Sequence, residues 1–189
     1  MRAGWLAALM FCGCALAQPA KVSTERLALC GACHGEQGVS RIPGTPSLAA
    51  QPSLFIENQL VLIREGVREV AAPMAEAVQG MRDAEIRALA KHYAALRPPP
   101  PADAPDPALA RRARAVADKA YCGSCHLPDY SGRDQIPRLA GQREEYLLES
   151  MRAYVENRRP GGDTIMAASL YGIADADLQA LAKYLAGKP

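Results

Sequence analysis

The sequence predicts an all-α fold built from two tandem domains related by internal duplication, and three observations support this prediction. Apolar residues recur at helical spacing in each patterned segment, and no segment shows the period of two typical of a half-buried strand. Four sequence blocks occur twice in the same order, at a nearly constant offset. A proline-rich run separates the two copies, as expected at a domain boundary.

The chain begins with a predicted export leader, residues 1–17. Arg2 supplies a positive charge, an apolar run extends from Trp5 to Ala17, and the run ends in the small-x-small sequence Ala15-Leu16-Ala17. The run is too short for a membrane span, which takes about 20 residues. A retained anchor and a lipid-modified Cys14 are the alternatives, but Phe11-Cys12-Gly13 is a poor context for lipidation. We therefore predict export with cleavage before Gln18.

The remaining chain divides into a first domain (18–97), a proline-rich linker (98–107) and a second domain (108–189). Domains of about 80 residues bury little core and usually need a disulfide, metal or cofactor for stability. The net charge of the whole chain is only +2, which argues against a nucleic-acid-binding protein with a basic surface stripe. The repeated blocks are Cys30–His34 with Cys122–His126, Pro46–Gln51 with Pro137–Gln142, Pro73–Ala75 with Ile165–Ala167, and Asp83–Lys91 with Asp175–Lys183.

Each domain is predicted to contain three main helices: one ending at the cysteine pair, one in the middle, and one closing the domain. Asp83 is the predicted N-cap of the closing helix in the first domain. The segments between Gly35 and Pro46 and between Gly66 and Met74 lack periodicity, so we expect loops around a bound group. The apolar residues that define the helices are Leu27, Leu29, Leu54, Phe55, Leu60, Ile63, Ile86, Leu89, Ala90 and Tyr93, then Val116, Ala120, Tyr146, Leu147, Tyr154, Leu178, Leu181 and Leu185.

Two Cys-x-x-Cys-His motifs carry the predicted chemistry. They are Cys30-Gly31-Ala32-Cys33-His34 and Cys122-Gly123-Ser124-Cys125-His126. In this motif two thiols add to the vinyl groups of haem, and the adjacent histidine binds the iron. The sequence therefore predicts two covalently bound haem c groups, one in each domain.

Two other chemistries use similar residues. A zinc site built from two cysteine pairs usually separates them by about 15–20 residues, whereas Cys33 and Cys122 lie in different domains. A thioredoxin-like dithiol belongs in a βαβ setting, which the sequence lacks, and it would leave the repeated histidine unexplained.

A sulfur ligand on the second axial side of the iron would raise the reduction potential and favour electron transfer. Met74 and Met166 occupy equivalent positions in predicted loops and are the candidates, although a methionine most often fills core space. Met81 and Met151 align with apolar residues and are predicted core residues. His92 competes in the first domain, but it has no histidine counterpart in the second and is predicted to lie exposed on a helix.

Pro46 and Pro137 follow the two motif histidines by 12 and 11 residues. A backbone carbonyl in this region could accept a hydrogen bond from the histidine ring, which would fix its tautomer. An ordinary turn proline is an equally good interpretation of the spacing.

With these motifs the sequence resembles the dihaem cytochrome c4 family over almost the whole exported chain. The resemblance implies two class I cytochrome c-like domains related by a pseudo-twofold axis, with haem edges close enough for electron exchange. It implies axial pairs His34/Met74 and His126/Met166. It also implies a periplasmic carrier, sometimes membrane-associated, that passes electrons from a quinol-oxidising complex towards a terminal oxidase.

Two features depart from the family pattern: Ala50 stands where the second domain has Gly141, and the linker is longer and richer in proline. An alternative function is the dihaem subunit of a periplasmic oxidoreductase, such as a flavoprotein sulfide dehydrogenase. A self-contained haem enzyme would need an open iron and acid–base groups, for which His92 is the one histidine outside the motifs.

Overall fold

The computed structural model describes residues 22–189, and the predicted leader lies outside this range. Within it the chain is helical, and its one β-type pairing is an isolated bridge between Arg133 and Ile136. The helices are α1 Thr24–His34, α2 Ser53–Arg64, α3 Ala72–Val78, α4 Asp83–Ala94, α5 Pro107–Lys119, α6 Cys122–His126, α7 Glu144–Val155, α8 Thr164–Leu170 and α9 Asp175–Ala186.

The predicted helices are present, with two corrections at their ends. In the first half α1 ends at the cysteine pair and its histidine as predicted, but in the second half α5 ends at Lys119, and the cysteine pair lies on the separate helix α6. Asp83 is not an N-cap: α4 is preceded by Arg82, whose backbone N–H donates to the Glu85 carboxylate at 3.1 Å. The Asp83 carboxylate instead accepts from Arg64 at 2.7 Å, so it connects α4 to α2.

Each half has its own hydrophobic core beneath its closing helix. In the first half, α4 packs on α2 and buries Ile86, Leu89, Ala90 and Tyr93 as predicted. The predicted stripe on α2 is partly wrong, since Leu54 is 40% exposed and Ile56 takes the buried position. Burial of a large aliphatic side chain contributes roughly 1.5–3 kcal/mol, so these few residues carry much of the stability of a small domain.

The second core forms where α5 and α7 both pack against α9. Leu178, Leu181 and Leu185 are buried on α9, as predicted. Tyr130 meets Tyr184 edge to face, with ring centroids 6.2 Å apart. The first half has Gly38 at the position of Tyr130, and the Tyr93 ring fills that space, since a Cβ on Gly38 would lie 2.9 Å from it. The two cores are thus filled by different aromatic residues on the same framework.

The proline-rich segment is attached to the second half. Ala102 donates its backbone N–H to Ala186 at 2.8 Å, at the end of α9. Pro99 passes so close to Gly141 that a Cβ there would lie 2.8 Å from the Pro99 carbonyl oxygen. This contact, together with a φ of +68°, explains the glycine at 141, whereas Ala50 adopts a φ of +55° in the first half.

Candidate haem sites

The cysteines and histidine of each motif lie on one helical face. Cys30, Cys33 and His34 occupy the last turns of α1, and the second motif forms the short helix α6. Positions i, i+3 and i+4 are neighbours on a helix surface, so the two thiols and the ring project to the same side. None of these four cysteines forms a disulfide, so each sulfur is available for attachment to a haem vinyl group.

The thiol environments do not resemble those of a redox dithiol. Burial raises the pKa of Cys30, and it does the same for Cys122. Reactive dithiols depend on a lowered pKa that makes the thiolate available at neutral pH. Between residues 22 and 189, no group of three or more His, Cys, Asp or Glu side chains is arranged to hold a metal ion. The two cysteine pairs are therefore not brought together into one cluster in this part of the chain.

Both motif histidines are buried and oriented by a proline carbonyl. His34 Nδ1 lies 2.8 Å from the Pro46 oxygen, and His126 Nδ1 lies 2.8 Å from the Pro137 oxygen. A carbonyl can only accept, so each Nδ1 carries the proton and each Nε2 keeps a free lone pair. Burial lowers the pKa of both rings, which keeps them neutral and suited to bind iron. The two prolines thus supply acceptors to the histidines and are more than turn residues.

The loops that carry these carbonyls are tightly folded. In the second half Gly132 has a φ of +72°, and a Cβ on it would lie 2.4 Å from the carbonyl carbon of Pro137. Its N–H also donates to the His126 carbonyl at 3.0 Å. Only glycine fits so close an approach at this φ. Gly132 therefore lets the loop fold tightly enough for the Pro137 carbonyl to reach the His126 ring.

Met74 and Met166 lie on short helices rather than in the predicted loops. Each is the third residue of its helix, α3 or α8. Pro73 in the first turn suits the start of α3, and the Asp163 carboxylate caps α8 by accepting from Ile165 N–H at 2.7 Å. These helix starts fall in segments without apolar periodicity, which is why the sequence pattern missed them.

The structure separates the candidate methionines from the core methionines. Met74 and Met166 are half-buried and pack against the same cores as Cys30 and Cys122, respectively. Met81 and Met151 are 4% and 6% exposed, within the cores as predicted. His92 lies on α4, as expected, but it is half-buried with its ring against Tyr93.

The residues present fit a covalently attached haem in each half. Each half combines two free thiols, a neutral imidazole with a free Nε2, and a half-buried thioether beside the same core. Arg143 adds a donor in the second half, since its Nε is buried and has no acceptor among residues 22–189. The first half has Pro52 at this position, so the repeat gave no indication of this donor.

Comparison with known proteins finds cytochromes that match this chain over both halves. The cytochrome c family profile matches residues 110–188. The cytochrome c4 of Thiocapsa roseopersicina is 31% identical over 173 residues, covering 84% of this chain and 86% of the relative. The thiosulfate dehydrogenase electron acceptor of Thiomonas intermedia is also 31% identical over 173 residues, covering 86% of this chain and 79% of the relative.

A solved structure agrees with these sequence comparisons. The crystal structure of reduced recombinant cytochrome c4 from Pseudomonas stutzeri superposes with a TM-score of 0.80 at 26% identity. The match covers 90% of this chain and all of the other. It confirms the all-α fold predicted from the sequence, with two tandem cytochrome c-like domains.

Proposed function

This chain belongs to the dihaem cytochrome c4 family and carries covalently attached haem c, and from that premise we propose that it shuttles single electrons between respiratory complexes in the periplasm. The direction of flow is from a quinol-oxidising complex towards a terminal oxidase. Like its cytochrome c4 relatives, the protein is an electron carrier and not an enzyme.

The proposed attachment sites are Cys30 and Cys33 for the first haem, and Cys122 and Cys125 for the second. The proposed axial ligands are His34 with Met74, and His126 with Met166. The observation that carries the assignment is the paired geometry at the histidines, since each half independently places a buried ring 2.8 Å from a proline carbonyl. A ring fixed in this tautomer has one nitrogen left for a ligand, and a metal-bound histidine commonly has this arrangement.

When bound, the haem iron would accept and release one electron. The chain's residues would set the conditions for that change: the cysteine sulfurs would hold the porphyrin, the proline carbonyls orient the histidine rings, and the methionine sulfurs would complete the iron's ligands. A closed iron with a soft sulfur ligand favours electron transfer over oxygen chemistry.

The proposed domain limits are 18–97 and 108–189, with the linker at 98–107 between them. The separate cores beneath α4 and α9 support this division. The Asp106 carboxylate accepts from Ala108 and Leu109 N–H at 2.9 and 3.0 Å, and this capped start of α5 at Pro107 supports a boundary close to the proposed one.

Export to the periplasm is proposed from the leader at 1–17. In the part of the chain from residue 22 onward, no helix has both the length and the apolar character needed to cross a bilayer. Peripheral association with the membrane is part of the proposal, because the quinol-oxidising and terminal complexes are membrane partners.

A second candidate role is that of the haem subunit of a periplasmic oxidoreductase. The supporting observation is the 31% identity to a relative described as a thiosulfate dehydrogenase electron acceptor. In this role the same two haems would receive electrons from a sulfur-oxidising enzyme, or from a flavoprotein such as a sulfide dehydrogenase.

A redox titration of the purified exported protein, with intact mass measurement, tests the proposal. We expect a chain starting at Gln18 with two porphyrins, and two one-electron steps with the visible spectrum of His/Met-ligated haem. Reoxidation of the reduced protein by oxidase-containing membranes would then support the respiratory role. Reduction by a thiosulfate dehydrogenase without such reoxidation would favour the second role. A mass without porphyrin would refute both.

A further inference from the structure

Two glutamines make four reciprocal hydrogen bonds between the two halves. Gln142 accepts from Ser47 N–H at 2.8 Å and donates to the Ser47 carbonyl at 2.9 Å. Gln51 accepts from Arg138 N–H at 3.0 Å and donates to the Arg138 carbonyl at 2.9 Å. Because Gln51 and Gln142 are equivalent in the repeat, as are Ser47 and Arg138, the arrangement is symmetric. We call these four residues the glutamine clamp.

Each glutamine of the clamp holds the peptide group that orients the other half's histidine. Pro46 C=O and Ser47 N–H belong to one peptide group. Its oxygen accepts from His34 Nδ1, and its N–H donates to Gln142 Oε1. The Pro137–Arg138 peptide relates His126 to Gln51 in the same way. A continuous hydrogen-bonded path therefore runs from each histidine across the interface to a side chain of the other half.

Most of the path is buried from solvent, and in buried surroundings hydrogen bonds polarise one another. Ser47, Gln51 and Gln142 are 2%, 5% and 4% exposed. In such surroundings a bond at one end of a peptide group strengthens the bond at its other end, by about 10–30%. The amide oxygen of Gln142 thus increases the negative charge on the Pro46 oxygen, which pulls more strongly on the Nδ1 proton of His34.

We propose that Gln142 and Gln51 are positioning residues that tune the haem of the opposite domain, Gln142 through His34 and Gln51 through His126. This inference rests on the proposed function, because it requires those histidines to bind the irons. A stronger acceptor on Nδ1 makes the imidazole a better electron donor, and a better donor stabilises the oxidised iron. Each glutamine therefore lowers the reduction potential of the haem in the other domain.

The experiment compares Gln142→Leu and Gln51→Leu in the full-length holoprotein, with Gln179→Leu as the matched control. Gln179 is an exposed glutamine on α9 that bonds Asp175 and lies outside the clamp. The potentials are read from a redox titration followed by NMR, with each set of haem resonances assigned through cross-peaks to its own attached cysteines.

We expect Gln142→Leu to raise the potential of the first haem, with a change of about two- to fivefold in its reduction equilibrium constant. For a one-electron couple this is about 18–41 mV, at 59 mV per tenfold change. Gln51→Leu should do the same to the second haem, and Gln179→Leu should change neither.

Three results would each overturn the inference: a change of potential only in the domain that carries the substitution, equal changes at both haems, or no change at either haem. If Gln142→Leu does not fold, Gln142→Glu keeps an acceptor oxygen towards Ser47 N–H, so the first potential should stay or fall, and a rise would contradict the inference. A protein without haem would refute the proposed function, whereas two haems with unshifted potentials would refute the tuning alone.

Discussion

The exposure of Leu54 and the burial of Ile86 make the sharpest test of the first core. Helical spacing alone puts both residues among the apolar positions, yet Leu54 is 40% exposed and Ile86 is 0% exposed. Replacing a fully buried Ile by Ala costs roughly 2–5 kcal/mol, because transfer and cavity terms add. For Leu54→Ala the exposed part of the side chain contributes nothing and no cavity forms, so we expect about 1 kcal/mol, scaled from a full burial value of about 1.5–3 kcal/mol.

Thermal unfolding of the holoprotein, followed at the haem Soret band, measures the difference. For a domain of this size, 1 kcal/mol corresponds to a shift in Tm of roughly 4–8 °C. Ile86→Ala should therefore lower the Tm of the first domain at least twice as far as Leu54→Ala does. Equal shifts for the two variants would show that the burial pattern of α2 and α4 is wrong.

Three further predictions follow from the sites and the interface. Met166→Ala should lower the potential of the second haem and let small ligands bind its iron, and Met74→Ala should do so in the first domain; an unchanged visible spectrum would remove that methionine as a ligand. Burial raises the pKa of Tyr146, but Arg68 of the first half and Arg159 outweigh it and bring the pKa to about 7. Tyr146 should therefore ionise near pH 7 in an ultraviolet difference titration, and Tyr146→Phe should abolish that step. The stability that its phenolate adds should be complete above about pH 10 and disappear as the pH falls through 7. Protein produced without haem attachment should lack a cooperative unfolding transition by circular dichroism, because each domain has a small core.

The sequence predicted most of the fold because the repeat and the helical periodicity are independent indications of the same structure. Leu178, Leu181 and Leu185 are spaced for one face of a helix, and that face is buried. The failures occur where a tertiary partner decides the outcome. Asp83 has the chemistry of an N-cap, but the Arg64 guanidinium lies 2.7 Å away and takes the carboxylate.

The candidate site was predictable in its chemistry and less so in its setting. The motif indicates the thiols and the histidine directly, because the spacing carries their function. Whether Pro46 and Pro137 were acceptors or turn residues needed coordinates, since spacing does not report where a carbonyl points. The glutamine clamp was visible only as a repeated Gln at 51 and 142, because their partners Arg138 and Ser47 lie 87 and 95 residues away along the chain.

The hydrogen bond between Ala102 and Ala186 has a consequence for how far the two domains can move apart. Since it ties the segment from residue 102 to the end of α9, the tether between the halves is at most residues 98–101, all proline, even if the contact between Pro99 and Gly141 is lost. An extended polyproline chain of four residues spans roughly 12 Å. Such a short tether keeps the effective concentration of one domain near the other high, so the interface re-forms rapidly after any opening. Under the proposed function, electron exchange between the two haems would therefore not depend on the protein concentration.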